Sequence, residues 1–302
     1  MSAKLLDGRT VASHLWRELS ERVATLQARG GIQPRLAVIR FEERGPSAVY
    51  AASVARAAHS VGIEPVEIVP PQGVQLSDLA ARIGALNLDP SVSGIVLAQP
   101  MPAHLDAAAI VSLIDPGKDV DGATPLNAGR LARGDRTFVP ATALAVMAIL
   151  RTYEIPIAGR RAVVVGRSPV VGRPVAGLLL EADATVVITH RRTRNLARET
   201  RRAEILVVAA GQPGLIRPEM VNRSAVVIDC GINTTPAGIV GDADTAALRP
   251  VVRAITPVPG GVGPVTTMML LDQTVQAAER GADDGDPWTE PLLVEREAGS
   301  DR

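Results

Sequence analysis

The sequence predicts an α/β protein of two domains flanking a cleft, and three observations carry that reading. Short runs of Val, Ile, Leu and Ala alternate with helix-period segments in two separate series. The runs are unbroken rather than alternating in polarity, as expected of parallel strands covered on both faces. At 302 residues the chain is also long for a single hydrophobic core.

The first series opens with a helix over Thr10 to Arg29, where Val11, Leu15, Leu19, Val23 and Leu26 recur every three or four residues. Leu36 to Phe41 follows as a short buried strand, Ala48 to Val61 as a helix and Val66 to Val69 as a strand. Leu76 to Leu88 reads as a helix with Ser77 as its cap and Asp78 in its first turn. Gly94 to Leu97 is a further strand, stopped by Pro100. This β-α-β-α-β order implies parallel pairing.

Thr142 to Tyr153 reads as the helix leading into the second series. Strands are expected at Ala162–Val165, Thr185–Thr189, Ile205–Ala209 and Ala225–Asp229, with helical patterns between the first three. Val265 to Arg280 is a final helix. Gly281 to Arg302 holds seven acids against two arginines, with Pro287 and Pro291, and reads as a mobile acidic tail.

Composition narrows the function classes. Apolar content is 46% with only six aromatic residues, so the cores must be built from Val, Leu, Ile and Ala. Lys plus Arg and Asp plus Glu stand at 32 each, and no global field favours nucleic acid or an anionic membrane. No run approaches the ~18 apolar residues of a membrane span, and Lys4, Asp7 and Arg9 interrupt any signal-like segment at the start. The single Cys230 leaves no intrachain disulfide and suits a reducing compartment. A soluble, cytoplasmic protein is expected.

Three motifs stand out from this background. Pro257-Val-Pro-Gly-Gly-Val-Gly-Pro264 alternates fixed and permissive backbone with nothing bulkier than valine, a loop shaped for a flat ligand or for a plain turn. Gly166-Arg-Ser-Pro-Val-Val-Gly-Arg-Pro174 lies directly after the apolar run Ala162 to Val165. Asp119-Val-Asp-Gly122 lies between the two series. Together, in order and spacing, they resemble the methylenetetrahydrofolate dehydrogenase/cyclohydrolase family of one-carbon metabolism, from about Leu5 to Ala278. The resemblance implies a folate-binding domain over residues 1–144 plus 266–280 and a Rossmann-like dinucleotide domain over 145–265, with 281–302 as the tail. It also implies a homodimer and a small-molecule folate substrate.

Gly166 ends a strand and the segment from Pro174 reads as a helix, so the turn offers backbone N–H groups and a helix dipole to a phosphate. Its spacing departs from G-x-G-x-x-G, and a ligand-free tight turn is the bland alternative. An NAD site places an acid about 20 residues on, at the end of the second strand. Here that strand ends in His190-Arg-Arg-Thr-Arg194, with no acid before Glu199. Arginine suits a 2′-phosphate, so NADP is expected; otherwise the cluster is a solvated basic loop. Gly166, Arg167, Ser168, Gly172, Arg173, Arg191 and Ile232 are the expected cofactor contacts. His190 has no metal-type partner and reads as structural, His14, His59 and His104 are scattered, and no metal is called for.

On the substrate side the resemblance implies that Tyr50 stacks on the folate ring system, although packing is a second reading, and that Asp121 anchors the pterin. Both are expected catalytic residues. Gln99, Pro259, Gly260 and Gly261 are expected substrate contacts, while Asp119 suits a cap or turn role. Two positions depart from the family. Its catalytic lysine, four residues after the tyrosine, is replaced by Val54, and the glutamine that assists it by Ala98, with Gln99 on the opposite face of the strand. Arg56 lies about 200° away around the helix from Val54 and is too strong a base to exchange protons. Glu42 stands where the family often has glycine.

Three readings follow from these departures. The chain is a dehydrogenase without cyclohydrolase activity, a bifunctional enzyme with a replacement proton-transfer group, or a non-catalytic folate- or nucleotide-binding relative.

Overall fold

The structure, a computed structural model, describes residues 2–236 and 238–282. Along the chain run β1 (Lys4–Leu5), α1 (Gly8–Gly30), β2 (Arg35–Ile39), α2 (Pro46–Ser60), β3 (Glu64–Ile68), α3 (Leu76–Leu88) and β4 (Gly94–Leu97). Then come α4 (Ala107–Val111), α5 (Pro125–Arg133), α6 (Ala141–Thr152), β5 (Arg161–Val165), α7 (Gly172–Glu181), β6 (Thr185–Thr189) and α8 (Leu196–Thr200). The last elements are β7 (Ile205–Val208), β8 (Val226–Asp229), the hairpin β9 (Asn233–Thr235) and β10 (Gly238–Val240), α9 (Thr245–Leu248), β11 (Ala254–Ile255) and α10 (Val262–Ala282). The chain divides into two compact units: Met1–Arg22 with Val139–Asp272, and Val23–Phe138 with the segment beginning at Gln273.

The unit containing Val23–Phe138 is built on a parallel three-stranded sheet in the order β3-β2-β4. All four β4 residues are buried, whereas edge strand β3 is only partly covered. Ile39, Leu79, Ile83, Ile95 and Ile110 form its core. The chain after α4 runs beside β4, where Ile95 N–H donates to the Lys118 carbonyl at 2.8 Å. A Cβ at Gly94 would fall 2.7 Å from a Val120 methyl, so only glycine lets the two segments pack this closely.

The other unit carries a six-stranded parallel sheet in the order β6-β5-β7-β8-β11-β1. Central strands β7 and β8 are buried along their whole length, while β6 at the edge is half exposed. Counted from β5, the first five strands follow the doubly wound order 2-1-3-4-5, which reverses direction between β5 and β7. Val163, Val165, Leu206, Val208, Val227 and Ile255 form its core.

The expected strands and helices all form, three of them with the expected bounds and the others with ends moved by at most three residues. The expected cap at Ser77 is corrected: the helix begins at Leu76, so Ser77 is already inside it, and Gln75 before it makes no side-chain cap. The elements that sequence reading passed over are β1, β11, the hairpin, α4, α5 and α9. The start of the chain was expected to belong with residues up to 144. It instead joins the six-stranded sheet, because Lys4 and Leu5 pair in parallel with Ala254 and Ile255. The expected acidic tail was to begin at Gly281, but α10 continues through Ala282; the rest of it, residues 283–302, lies outside the described residues, and no described helix is long and apolar enough to cross a membrane.

Candidate active site

The three-stranded sheet changes winding direction between β2 and β4, and a ligand crevice is expected at the carboxyl ends of such strands. Ala98 and Gln99 sit there, with Ala98 N–H bonded to the Ile39 carbonyl at 2.8 Å and a cis bond between Gln99 and Pro100. Ala98 is fully buried and Gln99 exposed. Tyr50 lies on α2, which rises from the same end of β2. Burial, and secondarily the Asp121 carboxylate, raise the pKa of its phenol, so Tyr50 is a neutral hydroxyl at any physiological pH and Asp121 is close enough to be felt. Tyr50 and Asp121 thus lie within electrostatic reach of one another. Tyr153, the only other tyrosine, is committed to the fold through a 3.1 Å hydrogen bond to the Asp7 carbonyl.

Asp119 has a different task. Its buried carboxylate accepts from Ala123 N–H (3.0 Å), Thr124 N–H (2.8 Å) and Asn127 Nδ2 (2.8 Å), tying off the turn that leads into α5. Burial raises its pKa against these bonds. Lys118 is likewise internal to the fold, donating to the Leu86 and Asp89 carbonyls. Asp121, two residues beyond Asp119, is fixed by this frame and by Gln273, whose Nε2 donates to the Val120 carbonyl at 2.6 Å.

Val54 is 0% exposed, on the buried face of α2 with Ala51 and Ala58. Ser47, three residues before Tyr50, is also buried, and its hydroxyl donates to Glu42 Oε2 at 3.1 Å. Arg40 donates to the Glu42 carbonyl and pairs with Glu67 at 2.9 Å. Glu42 is therefore an ionisable group drawn to the first turn of the helix that carries Tyr50.

In the other unit, Gly166 leaves β5 with φ 126° and donates its N–H to the Thr189 carbonyl. A Cβ on Gly166 would collide with the Ala209 carbonyl after β7, and one on Gly172 with the Gly166 carbonyl. The turn thus closes on itself at the switch point with no room for side chains on its inner face. Ser168 holds it: the hydroxyl accepts from Val171 and Gly172 N–H, and the carbonyl from Arg173 N–H. Arg167, Arg173 and Arg191 are exposed and make no ion pair among the described residues. His190 is structural as expected, with its N–H on Thr193 Oγ1 and its Nδ1 accepting from Arg192 N–H. Ile232, after β8, is 69% exposed.

The Pro257–Pro264 loop belongs to this same unit. Its Val258–Pro259 bond is cis, and Gly260 has φ 104°. Gly8 N–H donates to the Gly260 carbonyl at 2.9 Å, and a Cβ at Gly8 would collide with the Gly261 carbonyl. The Arg9 guanidinium lies over Gly260. The loop is therefore clamped from below by the first turn of α1, a contact that no local sequence pattern announced.

Sequence reading also missed two buried acids, Asp229 and Asp242. Asp229 ends β8 and accepts from Gly231, Asp242 and Ala243 N–H. Asp242 accepts from Ala210, Gly211 and Gln212 N–H and from Asn233 Nδ2. Burial pushes Asp229 up to about 6, and burial with both carboxylates raises the Cys230 thiol. An acid closing an all-apolar strand was the available signal for Asp229.

A doubly wound parallel sheet with a glycine turn at its switch point defines a nucleotide-binding unit, and a second small parallel sheet carries the Tyr50–Asp121 pair. Sequence models described as tetrahydrofolate dehydrogenase/cyclohydrolase match the chain twice, the catalytic domain over residues 6–121 and the NAD(P)-binding domain over residues 140–282. The chain belongs to this family. It is 46% identical over 281 residues to the bifunctional protein FolD of Bordetella avium, covering 93% of this chain and 99% of the relative. Its fold is similar to the crystal structure of the bifunctional FolD of Campylobacter jejuni, with TM-score 0.90 and 41% identity over 92% of this chain and 99% of that one. It is also similar to the Trypanosoma brucei FolD complexed with NADP cofactor and inhibitor, with TM-score 0.89 and 38% identity over 94% and 99% of the two chains.

Proposed function

We propose that the protein oxidises 5,10-methylenetetrahydrofolate to 5,10-methenyltetrahydrofolate with NADP, and that it lacks the hydrolytic second step of its family. The observation that carries this reading is the retained Tyr50–Asp121 pair beside a fully buried valine at position 54. In this reading the unit of residues 23–138 holds the folate and the unit of residues 139–272 the dinucleotide.

The turn at Gly166 and Gly172 fits a dinucleotide phosphate, since its crushed inner face leaves the outer backbone for a ligand to approach. The basic end of β6 fits a 2′-phosphate in place of an acid-bound ribose. When bound, the nicotinamide accepts the hydride from the folate methylene carbon. The substrate's own ring nitrogens stabilise the cation that forms, so the protein's part is positioning. Tyr50 offers a flat face and a neutral hydroxyl, and Asp121 accepts from the pterin's N–H donors. Neither needs to gain or lose a proton.

Hydrolysis of the methenyl cation differs: water must lose both protons as its oxygen becomes the formyl carbonyl, one going to the nitrogen freed as the ring opens and one to solvent. A general acid/base contributes about 10²–10⁴-fold to such steps. Val54 and Ala98 supply none. Purified protein is expected to reduce NADP when given methylenetetrahydrofolate and to hydrolyse methenyltetrahydrofolate little faster than buffer. Absence of NADP reduction overturns the assignment.

One observation favours a second reading. The relatives are named bifunctional, and Glu42, held by Ser47 one turn before Tyr50, is a carboxylate able to accept a proton from water. In that case the same assay finds hydrolysis, and Glu42→Gln removes it while sparing NADP reduction.

A further inference from the structure

Asp242 sits at the carboxyl edge of the six-stranded sheet, in the segment after β10, and is completely buried. Three successive backbone N–H groups, those of Ala210, Gly211 and Gln212, converge on its carboxylate at 2.6, 2.8 and 2.9 Å. Consecutive N–H groups aimed at one point make an anion-binding nest. Here the anion is part of the chain. Among the described residues no lysine or arginine pairs with Asp242 or Asp229, so N–H groups alone satisfy both.

The loop held in this way lies at the switch point. It follows β7 directly, and its neighbour Ala209 is the residue whose carbonyl forbids a side chain on Gly166. On the other side, Asp242 Oδ1 accepts from Asn233 Nδ2 at 2.8 Å, while Asp229 Oδ1 accepts from Gly231 N–H at 2.8 Å. The exposed Ile232 is bracketed between those two anchors. Asp229 also accepts from the backbone N–H of Asp242 itself, at 3.1 Å. One pair of acids thus ties together the chain after β7, the chain after β8 and the chain after β10. Side chains are excluded from the joints, since a Cβ on Gly231 or Gly241 would run into these carboxylates or their backbone.

We propose that Asp242 is a positioning residue of the dinucleotide site: an internal carboxylate that fills the Ala210–Gln212 nest and so fixes the loops after β7 and β8 in their cofactor-binding shape. The inference rests on the cofactor reading given above. It explains why an acid stands there rather than an amide. An amide would turn its NH₂ towards two donors, either the Ala210 and Gly211 N–H groups that Oδ2 accepts or the Gln212 N–H and Asn233 Nδ2 that Oδ1 accepts, and a smaller residue would leave a nest open to the cofactor's own phosphates in the wrong place.

Titration calorimetry with NADP on the full-length protein tests it. Asp242→Ala is expected to raise the Kd for NADP at least tenfold, with the Kd for methylenetetrahydrofolate unchanged. Formate at tens of millimolar should restore most of the loss by refilling the nest, a response that a merely destabilised protein does not give. A folded Asp242→Ala protein with wild-type NADP affinity overturns the proposal, as does a weakened one that formate leaves weak. If that variant does not fold, Asn233→Ala removes a single donor and should weaken NADP several-fold with an unchanged melting temperature; wild-type affinity there overturns the proposal equally. Arg173→Ala separates the two levels. If it weakens NADP while the Asp242 variant does not, only the positioning role fails; if neither weakens NADP, the cofactor site itself is misplaced.

Discussion

Position 54 offers a direct test of the proposed loss of hydrolysis. Val54→Lys places an amine one helical turn from Tyr50, in surroundings that hold the Tyr50 phenol protonated by burial. The same burial opposes an ammonium, so the new amine should titrate well below its usual ~10.4. Each unit of that depression costs about 1.4 kcal/mol of folding stability at neutral pH. An amine brought to about 8 therefore destabilises by roughly 3 kcal/mol, a large share of the 5–15 kcal/mol by which domains of this kind are stable. Val54 is fully packed, so a melting curve must accompany every rate.

The gain in hydrolysis is bounded by the worth of one general acid/base, about 10²–10⁴-fold. Val54→Lys alone should reach only part of it. Adding Ala98→Gln restores a side-chain amide at the end of β4 that can orient the amine, and the double variant should exceed the product of the single effects. The assay follows loss of the methenyl chromophore against buffer. A folded double variant no faster than the unmodified protein refutes the reasoning, and so does robust hydrolysis by the unmodified protein.

Three further outcomes are expected. Arg173→Ala with Arg191→Ala should weaken NADP binding and leave NAD nearly unchanged in calorimetry; an equal loss for both would show that the arginines do not read the 2′-phosphate. Asp121→Asn presents an NH₂ where the pterin also has donors, a mismatch of about 1–3 kcal/mol, so folate should bind roughly 5- to 150-fold more weakly with NADP unaffected. Asp229 titrates near 6 in the fold against 3.8 for an unperturbed carboxyl. A raised carboxyl pKa adds stability that is complete below 3.8 and lost as pH rises through about 6. Between pH 3.5 and 7 the wild type should thus lose about 3 kcal/mol relative to Asp229→Asn in denaturant melts. A constant offset between the two curves would show that Asp229 titrates normally.

Much of the fold was legible because burial writes itself into composition. β5, β7 and β8 lie under cover on both faces, and their unbroken Val, Ile and Ala runs could be read directly. β1 and β11 could not, since two residues carry no period: β11 is a strand because it lies between β8 and β1, and β1 because it finds the edge that β11 offers. Ser77 misled because a serine near a helix start is a cap only when it stands outside the first turn, and α3 starts one residue earlier. In the candidate site the aromatic, the glycines and the arginines announced themselves by type. Asp229 and Asp242 did not, because their function depends on N–H groups gathered from separate loops. The clamp of Gly8 beneath Gly261 was hidden for the same reason.

The pairing of β1 with β11 also has a consequence in time. A ribosome adding 5–20 residues per second delivers Ala254 about 250 residues after Lys4, on the order of 10–50 s later. Throughout that interval the first strand of the nascent chain has no edge to join. The three-stranded sheet, by contrast, needs only residues 35–97 and can pair its strands early. Synthesis thus lets the three-stranded sheet pair its strands before the six-stranded sheet can add β1, which waits for residues 254–255.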